Sequence, residues 1–305
     1  TRELSGDYIT LVSLINSSEC VKLAVDLPSG LDGDTGKILG IAVMADTTVT
    51  FAFPKTGLLM DQALDYVGNL KVVDIGIPTI YESEIKTNYV TADFIKNIFP
   101  ASRKKSSFKN KYGRAVLIGG SGDMSGAIVL ATKAALKSGV GLVNTMVPEN
   151  IHSIVATQVP TAMVLGLNEK NNFSSDKKII TEHLEKADAV AFGPGAGNTT
   201  ETKVILKYLM ENYKKPIVLD ADALNALSEN MDLLEKRQGS IILTPHAGEL
   251  ARLLNTTAKE IQEDRIGALK NFSAKYKGIL VLKGAKTLIT DGNEIFINST
   301  GNAAL

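Results

Sequence analysis

Five short apolar runs in the second half of the chain each lead directly into a glycine-rich or polar motif. This regularity is the feature that most constrains the fold. The runs are Arg114–Ile118, Asp188–Phe192, Pro216–Leu219, Ile241–Leu243 and Ile279–Leu282. Helical patterns lie between them, which is typical of an α/β domain with a parallel sheet. Because the carboxyl ends of parallel strands lie at one edge of a sheet, the motifs are predicted to surround one ligand cleft.

The first of these units is predicted to be a complete βαβ motif. The strand Arg114–Ile118 is followed by Gly119, Gly120 and Gly122, and a second buried strand is predicted at Val140–Val147. The helix between them is indicated by apolar residues at helical spacing, namely Ala127, Leu130, Ala131, Ala134 and Ala135. The glycine spacing matches neither the dinucleotide fingerprint nor a Walker A loop. By itself, therefore, the loop is equally consistent with a tight turn and with a ligand site.

The other motifs have two interpretations each. Gly193–Gly197 precedes a helix whose free N–H groups attract anions, or it is a plain turn. Asp220 and Asp222 could hold magnesium through water, or Asp222 could cap the next helix. His246 could be structural or catalytic. Lys283–Thr287 combines a charge, a hydroxyl and a glycine, the parts needed to hold a nucleotide phosphate.

The first 78 residues show the pattern of predicted helix and strands that is typical of another α/β segment. A helical pattern at Ile9–Ile15 precedes predicted strands at Val21–Asp26, which is expected to be buried, Asp46–Phe53 and Leu70–Ile77. Asp26–Gly36 is dense in turn formers. It could bind a cation or a ribose, although composition alone favours a surface loop. A domain boundary is predicted near residues 79–90, which divides the chain into segments 1–85 and 86–305.

Composition excludes several classes of protein. Lysine plus arginine and aspartate plus glutamate number 33 each, so nothing indicates binding to nucleic acid or to an anionic membrane. Cys20 is the only cysteine, which favours a reducing compartment, and we expect a cytoplasmic protein. The chain opens Thr1-Arg2-Glu3 without a start methionine or signal sequence, and we interpret it as a fragment.

The order of motifs from about residue 89 to 305 resembles the ADP-dependent NAD(P)H-hydrate dehydratase family, which has a ribokinase-like fold. The matching segments are Gly119-Gly120-Ser121 with Gly126-Ala127, Ala134–Val143, Gly193–Gly197, Asp220–Asn225, Thr244–Glu249 and Lys283–Thr287. Residues 1–78 resemble the second half of the Rossmann-like NAD(P)HX epimerase domain, which is often fused in front of that dehydratase. The matching segments there are Ala24–Asp32, Phe53–Gly57 and Asp74–Pro78.

The resemblance implies a role for each matched residue. Ala127, Gly197 and His246 would line the site of the hydrated nicotinamide. The nucleotide would be bound by Lys283, Gly284, Ala285, Lys286 and Thr287. In the epimerase part, Thr1, Arg2, Glu3 and Asp26 would contact NAD(P)HX, Ser29 would ligate K⁺, and Asp26 and Lys55 would transfer protons. ADP as co-substrate, Mg²⁺ and K⁺ are the implied cofactors, and NADHX and NADPHX the substrates of an expected homo-oligomer.

Two departures and two rival functions remain open. The epimerase's N-terminal Asn-Asn-Gly-Gly-Asp-Gly loop and the dehydratase's Gly-Gly-x-Gly-Asp segment are not in this sequence, so we expect the fragment itself to be inactive. Phe108-Lys109-Asn110 replaces the family's usual His-Lys-Gly. The rivals are a ribokinase-like kinase of a vitamin precursor and a nucleotide-binding module without catalysis.

Overall fold

The computed structural model describes residues 2–78, 80, 84–99, 103–168 and 173–301. The chain divides into two units. The first contains residues 1–91, 284–287 and 293–305, and the second contains residues 92–283 and 288–292. The predicted boundary between residues 85 and 86 stays a prediction.

The strands, in chain order, are β1 Leu23–Val25, β2 Thr47–Phe51, β3 Asn69–Val73, β4 Thr87–Val90, β5 Arg114–Ile118, β6 Leu142–Pro148, β7 Met163–Leu167, β8 Ala189–Phe192, β9 Ile217–Leu219, β10 Ile241–Leu243, β11 Ile279–Leu282, β12 Leu288–Thr290 and β13 Ile295–Asn298. The α-helices are α1 Asp7–Ser17, α2 Leu64–Val67, α3 Ala92–Ile98, α4 Ser125–Lys137, α5 Glu149–Gln158, α6 Phe173–Lys186, α7 Thr200–Asn212, α8 Asp222–Ser228, α9 Asp232–Lys236, α10 Ala247–Leu254, α11 Ala258–Glu263 and α12 Arg265–Lys275. Among the described helices, none combines the length with the hydropathy that a membrane span requires.

The first unit holds a three-stranded parallel sheet with the order β1-β2-β3, and the parallel pair of β4 with β13. Strand β2 is central, and the hydroxyl of its buried Thr48 donates to the carbonyl of Val67 at 2.7 Å. A small hydrophobic core in this unit contains Leu31, Ala42, Leu58, Ala63 and Val67, and Leu70 of β3 packs against it.

The prediction of a buried first strand is wrong. β1 covers only Leu23–Val25, and Leu23 and Val25 are 62% and 66% exposed, whereas Ala24 between them is 8% exposed. The reason is that β1 lies at the edge of its sheet and alternate side chains point to opposite faces. An apolar run cannot show by itself whether both faces of a strand are covered.

The sheet of the second unit has the order β12-β11-β10-β9-β8-β5-β6-β7. Every described pairing from β11 to β7 is parallel, and β12 is antiparallel to β11. The five strands that carry motifs are therefore neighbours in the order β5, β8, β9, β10, β11, which confirms the predicted parallel α/β arrangement. The chain adds β6 and β7 on one side of β5 and then crosses to β8 on the other side. The carboxyl ends of the neighbouring strands β5 and β8 thus form a topological switch point, where open α/β sheets bind ligands.

Helix α4 forms as predicted, but its buried face is shifted. Ile128 and Thr132 are fully buried, whereas Leu130 is 68% exposed. The hydroxyl of Thr132 donates to the carbonyl of Ile128 at 2.7 Å and lies 3.0 Å from the hydroxyl of Thr145 on β6. Ala131 and Ala135 pack against the same core as Ile128 and Val129, so the buried face combines part of the predicted face with these β-branched residues.

Candidate functional site

A cavity of about 230 Å³ lies at the switch point of the second unit's sheet. Its lining comes from the loop after β5, the ends of β6 and β7, the start of α5, helices α6 and α7, and the loop after β8 that leads into α7. The lining includes Gly119, Gly120, Ser121, Gly122, Pro148, Asn150, Ala196, Thr199 and Thr202. The glycine motif after β5 therefore borders a ligand-sized space, which favours a ligand loop over a plain turn.

At two positions in these loops only glycine fits, because φ is positive and an added Cβ would be too close to neighbouring atoms. Gly120 has φ +79°, and a Cβ there would lie 2.8 Å from side-chain atoms of Ile128 and Ile151. Gly193 has φ +119°, and a Cβ there would lie 1.9 Å from the carbonyl oxygen of Asp220. The N–H of Gly120 also donates to the carbonyl of Pro194 at 2.9 Å. The loops after β5, β8 and β9 are consequently held against one another.

Asp222 fastens the glycine loop rather than capping its own helix. Its Oδ2 accepts the N–H of Gly197 at 2.8 Å, and its Oδ1 accepts from the side-chain amide of Asn225 at 3.3 Å. The residue at the N-cap of α8 is Ala221, which makes no side-chain capping bond. Gly197 is thereby fixed at the switch point, and Ala127 lies beside the same loop, since its Cβ is 3.1 Å from where a Cβ on Gly195 would be.

A second polar group lies at the ends of β9, β10 and β11. The ammonium of Lys283 is 2.6 Å from Oδ1 of Asp220 and 3.6 Å from Oε2 of Glu249. The hydroxyl of Thr244 donates to the same oxygen of Asp220 at 2.9 Å. Two carboxylates therefore surround one lysine.

His246 is the N-cap of α10. Its Nδ1 accepts the N–H groups of Gly248 at 3.0 Å and Glu249 at 3.3 Å, and Glu249 accepts the N–H of His246 at 2.8 Å. This reciprocal arrangement is a capping box. Because Nδ1 is an acceptor, the neutral ring carries its proton on Nε2.

The predicted site residues thus fall into two groups on the second unit. The glycine loops line the cavity or border it, whereas Asp220, His246 and Lys283 are not among its lining residues and meet at the neighbouring strand ends. Sequence reasoning did not assign a role to Glu249. Its signal was the His-x-x-Glu spacing at the start of a helix, which is the spacing of a capping box.

The rest of the Lys283–Thr287 motif belongs to the first unit. Lys286 has φ +51°, and its ammonium donates to the carbonyl of Ser299 at 3.2 Å and lies 5.8 Å from the centre of the Tyr89 ring. The hydroxyl of Thr287 donates to the carbonyl of Gly284 at 3.1 Å, and Gly284 and Ala285 are exposed. Gly284 and Ala285 are therefore accessible to solvent, whereas the second lysine of the motif is already held.

The described residues fit magnesium only in company with a phosphate ligand. They include no group of three or more His, Cys, Asp or Glu side chains that could hold a metal ion by themselves. The carboxylate of Asp220 is also engaged by Lys283. Mg²⁺ commonly binds through one or two carboxylates plus substrate phosphates, and that mode suits these residues.

In the first unit, Asp26 and Lys55 form an ion pair at the ends of β1 and β2. The Lys55 ammonium also donates to the hydroxyl of Thr50 at 3.0 Å and the carbonyl of Phe51 at 3.1 Å. The hydrogen bond from Lys55 is the main reason that the pKa of Asp26 lies below its ordinary value, and the N–H of Phe51 acts in the same direction. Asp26 has φ +68°, so the carboxylate is held by an unusual backbone conformation.

The other predicted site residues of the first unit make few described contacts. Arg2 and Glu3 are exposed, and Thr1 lies outside the described residues. Ser29 is exposed, and its carbonyl accepts the N–H of Val43 at 2.9 Å. The roles that the resemblance implies for these residues stay predictions.

Comparison with known proteins agrees with this arrangement. Residues 115–305 match the family model described as NAD(P)H-hydrate dehydratase, and residues 1–57 match the model described as YjeF-related protein N-terminus. A bifunctional NAD(P)H-hydrate repair enzyme of Moorella thermoacetica is 39% identical over 97% of this chain and 57% of its own length. Its counterpart from Escherichia coli is 37% identical over 97% of this chain and 55% of its own length. The chain therefore spans little more than half the length of these relatives.

Solved structures resemble the chain at the level of the fold. A ribokinase-like superfamily protein from Enterococcus faecalis has a TM-score of 0.63 and 28% identity, over 72% of this chain and 74% of its own. An ADP/ATP-dependent NAD(P)H-hydrate dehydratase from Bacillus subtilis, co-crystallised with ATP and Mg²⁺, has a TM-score of 0.60 and 30% identity over the same shares. These likenesses confirm the predicted ribokinase-like α/β fold.

Proposed function

Because the chain belongs to the NAD(P)H-hydrate dehydratase family, we propose that it is part of an enzyme that repairs hydrated NAD(P)H. The second unit dehydrates (S)-NAD(P)HX to NAD(P)H at the expense of ADP, with release of AMP and phosphate. The first unit belongs to an activity that interconverts the R and S hydrates. The observation that carries the proposal is the cavity at the switch point, which borders on glycine loops tied to the strand ends bearing Asp220 and Lys283.

Dehydration requires a better leaving group than hydroxide. Transfer of the terminal phosphoryl group of ADP to the hydroxyl at C6 of the hydrated ring forms a phosphate ester and AMP. Loss of phosphate, with a proton from the ring, then restores NAD(P)H. The Lys283 ammonium offsets negative charge on the phosphoryl group, and Nε2–H of His246 donates to the bound hydrate. Mg²⁺, when bound with the nucleotide, supplies further neutralisation of phosphate charge.

Epimerisation requires groups that can take up and return protons at the hydrated ring. Asp26 suits the first task because its carboxylate is ionised at neutral pH and is held in place by Lys55. Lys55 is within contact of Asp26 and can return a proton. K⁺ bound near Ser29 belongs to the same proposal. We also expect a cytoplasmic homo-oligomer.

The test uses the complete gene product with purified S and R hydrates of NADPH, ADP and Mg²⁺. Recovery of NADPH absorbance from the S hydrate, and slower recovery from the R hydrate through epimerisation, is the expected result. Hydroxyethylthiazole and hydroxymethylpyrimidine serve as competing substrates. Phosphorylation of either compound without recovery of NADPH would favour a vitamin-precursor kinase. Binding of ADP without turnover of any of them would favour a non-catalytic module.

A further inference from the structure

Glu249 is a buried carboxylate at the edge of the sheet that the proposed reaction does not use. Its side chain is 5% exposed although glutamate is normally a surface residue. Oε2 accepts the N–H of His246 at 2.8 Å and lies 3.6 Å from the ammonium of Lys283, while Oε1 lies 3.4 Å from Nε2 of His246. Burial of a charge is tolerated where it is paired and hydrogen-bonded, and each oxygen of Glu249 has such a neighbour.

Helix capping alone does not require this burial. The chain contains a second capping box at the start of α11, where Glu260 accepts the N–H of Thr257 at 3.0 Å. Glu260 is exposed, and its described contacts are with Thr256 and Thr257. A capping box therefore forms at α11 although its glutamate is exposed and has no lysine among its described contacts. What distinguishes Glu249 is its position between two residues of the candidate site.

The two residues that Glu249 contacts are also held from other sides. His246 has its ring fixed by the two N–H groups that Nδ1 accepts, so that Nε2–H is the group it can offer to a ligand, and the side chain is 55% exposed. Lys283 is joined to the same turn, since its N–H donates to the carbonyl of Pro245 at 2.8 Å. Its ammonium also donates to Oδ1 of Asp220 at 2.6 Å.

We propose that Glu249 is a positioning residue that couples the His246 side of the site to the Lys283 side. The inference rests on the proposed function, in which His246 faces the hydrated nicotinamide and Lys283 faces the nucleotide. The carboxylate of Glu249 fixes the backbone N–H of His246, which positions the imidazole. The same carboxylate also attracts the ammonium of Lys283, which faces the phosphate. Loss of its charge is therefore expected to weaken both halves of the site together.

The first test compares Glu249→Gln with Glu260→Gln in the complete gene product. A glutamine at 249 can accept the N–H of His246 or face its Nε2–H with the oxygen, but not both, and it does not attract Lys283. We expect kcat/KM to fall about tenfold or more for both the hydrate and ADP, the range expected when a hydrogen bond to a charged group is lost. Glu260→Gln, which also alters a capping box, should leave both values within about twofold of the wild type.

A double-substitution cycle shows whether the effect passes through Lys283. In ADP binding by calorimetry, Glu249→Gln added to Lys283→Met should cost less than it does in the wild type. Full additivity, a fall in only one of the two kcat/KM values, or a change in thermal stability with unchanged kinetics would overturn the proposal. Each of those results would mean that Glu249 does not couple His246 to Lys283, and the last of them would mean that it acts only as a helix cap.

A spectroscopic test is independent of turnover. In the complete gene product labelled with ¹⁵N-histidine, the resonances of His246 are assigned by their loss in His246→Asn. The proton should reside on Nε2, and the ring resonances should move in Glu249→Gln and stay in place in Glu260→Gln. A proton on Nδ1, or an unmoved ring in Glu249→Gln, would overturn the positioning role. Absence of hydrate turnover in the wild type alongside the expected spectra would instead overturn the proposed function.

Discussion

Replacement of Gly193 by alanine should destabilise the second unit, because of the backbone conformation at this position and of two close contacts that a side chain would make. The residue has φ +119°, where a side chain is strained by about 1–3 kcal/mol. The new Cβ would lie 1.9 Å from the carbonyl oxygen of Asp220 and 2.6 Å from Cβ of Ala223. Relief of such a clash by movement of the backbone typically costs a further ~1–3 kcal/mol. Together these contributions predict a loss of about 2–6 kcal/mol in the free energy of unfolding.

The measurement is urea denaturation followed by far-UV circular dichroism, with Gly126→Ala as the matched control. Gly126 lies in the first turn of α4, and a Cβ added there would meet no atom within 4 Å, so the same substitution should be neutral or stabilising by up to about 1 kcal/mol. A loss of about 2–6 kcal/mol corresponds to a fall in Tm of roughly 4–24 °C for a unit of this size. If Gly193→Ala unfolds within about 1 kcal/mol of the wild type, the close packing of the loops after β8 and β9 is refuted.

Three further predictions concern the charged groups. Asp26→Asn in the complete gene product should abolish recovery of NADPH from the R hydrate and leave recovery from the S hydrate nearly intact; equal loss of both would refute two separate sites. The pKa of Asp26 is lowered on folding, so its pairing with Lys55 stabilises the protein fully above about pH 4 and the stabilisation is lost as the pH falls through the lowered pKa. Carboxyl ¹³C titration checks this, and a midpoint above the ordinary value of 3.8 would contradict it. Lys283→Met should weaken ADP binding about tenfold or more by calorimetry, while Lys207→Met on the exposed face of α7 should not.

Much of the fold could be predicted because the sequence repeats one simple unit. β5, β10 and β11 have the predicted bounds, and β8 and β9 each begin one residue later than predicted. Short runs of branched apolar residues that alternate with longer helical patterns favour buried strands, because both their length and their β-branched content suit a parallel sheet. The Thr-x-x-Glu spacing at Thr257 and Glu260 likewise predicts a capping box, and the capping box is present.

Predictions of burial were weaker because burial depends on partners distant in sequence. The runs at β1 and at α4 are apolar by composition, yet Leu23 and Leu130 are exposed. The strand predicted at Leu70–Ile77 ends at Val73, and most of its side chains are exposed. A local pattern predicts that a strand or helix forms, but it does not specify which of its faces will meet another element.

The sequence by itself determined the chemistry available at the sheet edge, because motif composition is local: glycines after β5 and β8, carboxylates after β9, a histidine after β10 and a lysine after β11. Only the tertiary structure decided how those groups combine. Asp220 pairs with Lys283 although 63 positions separate them in the chain, and Glu249 approaches the same lysine from another strand end. The crossing from β7 to β8 brings the first glycine loop against Pro194. Such contacts depend on the order of strands in space, and neither propensity nor periodicity along the chain encodes that order directly.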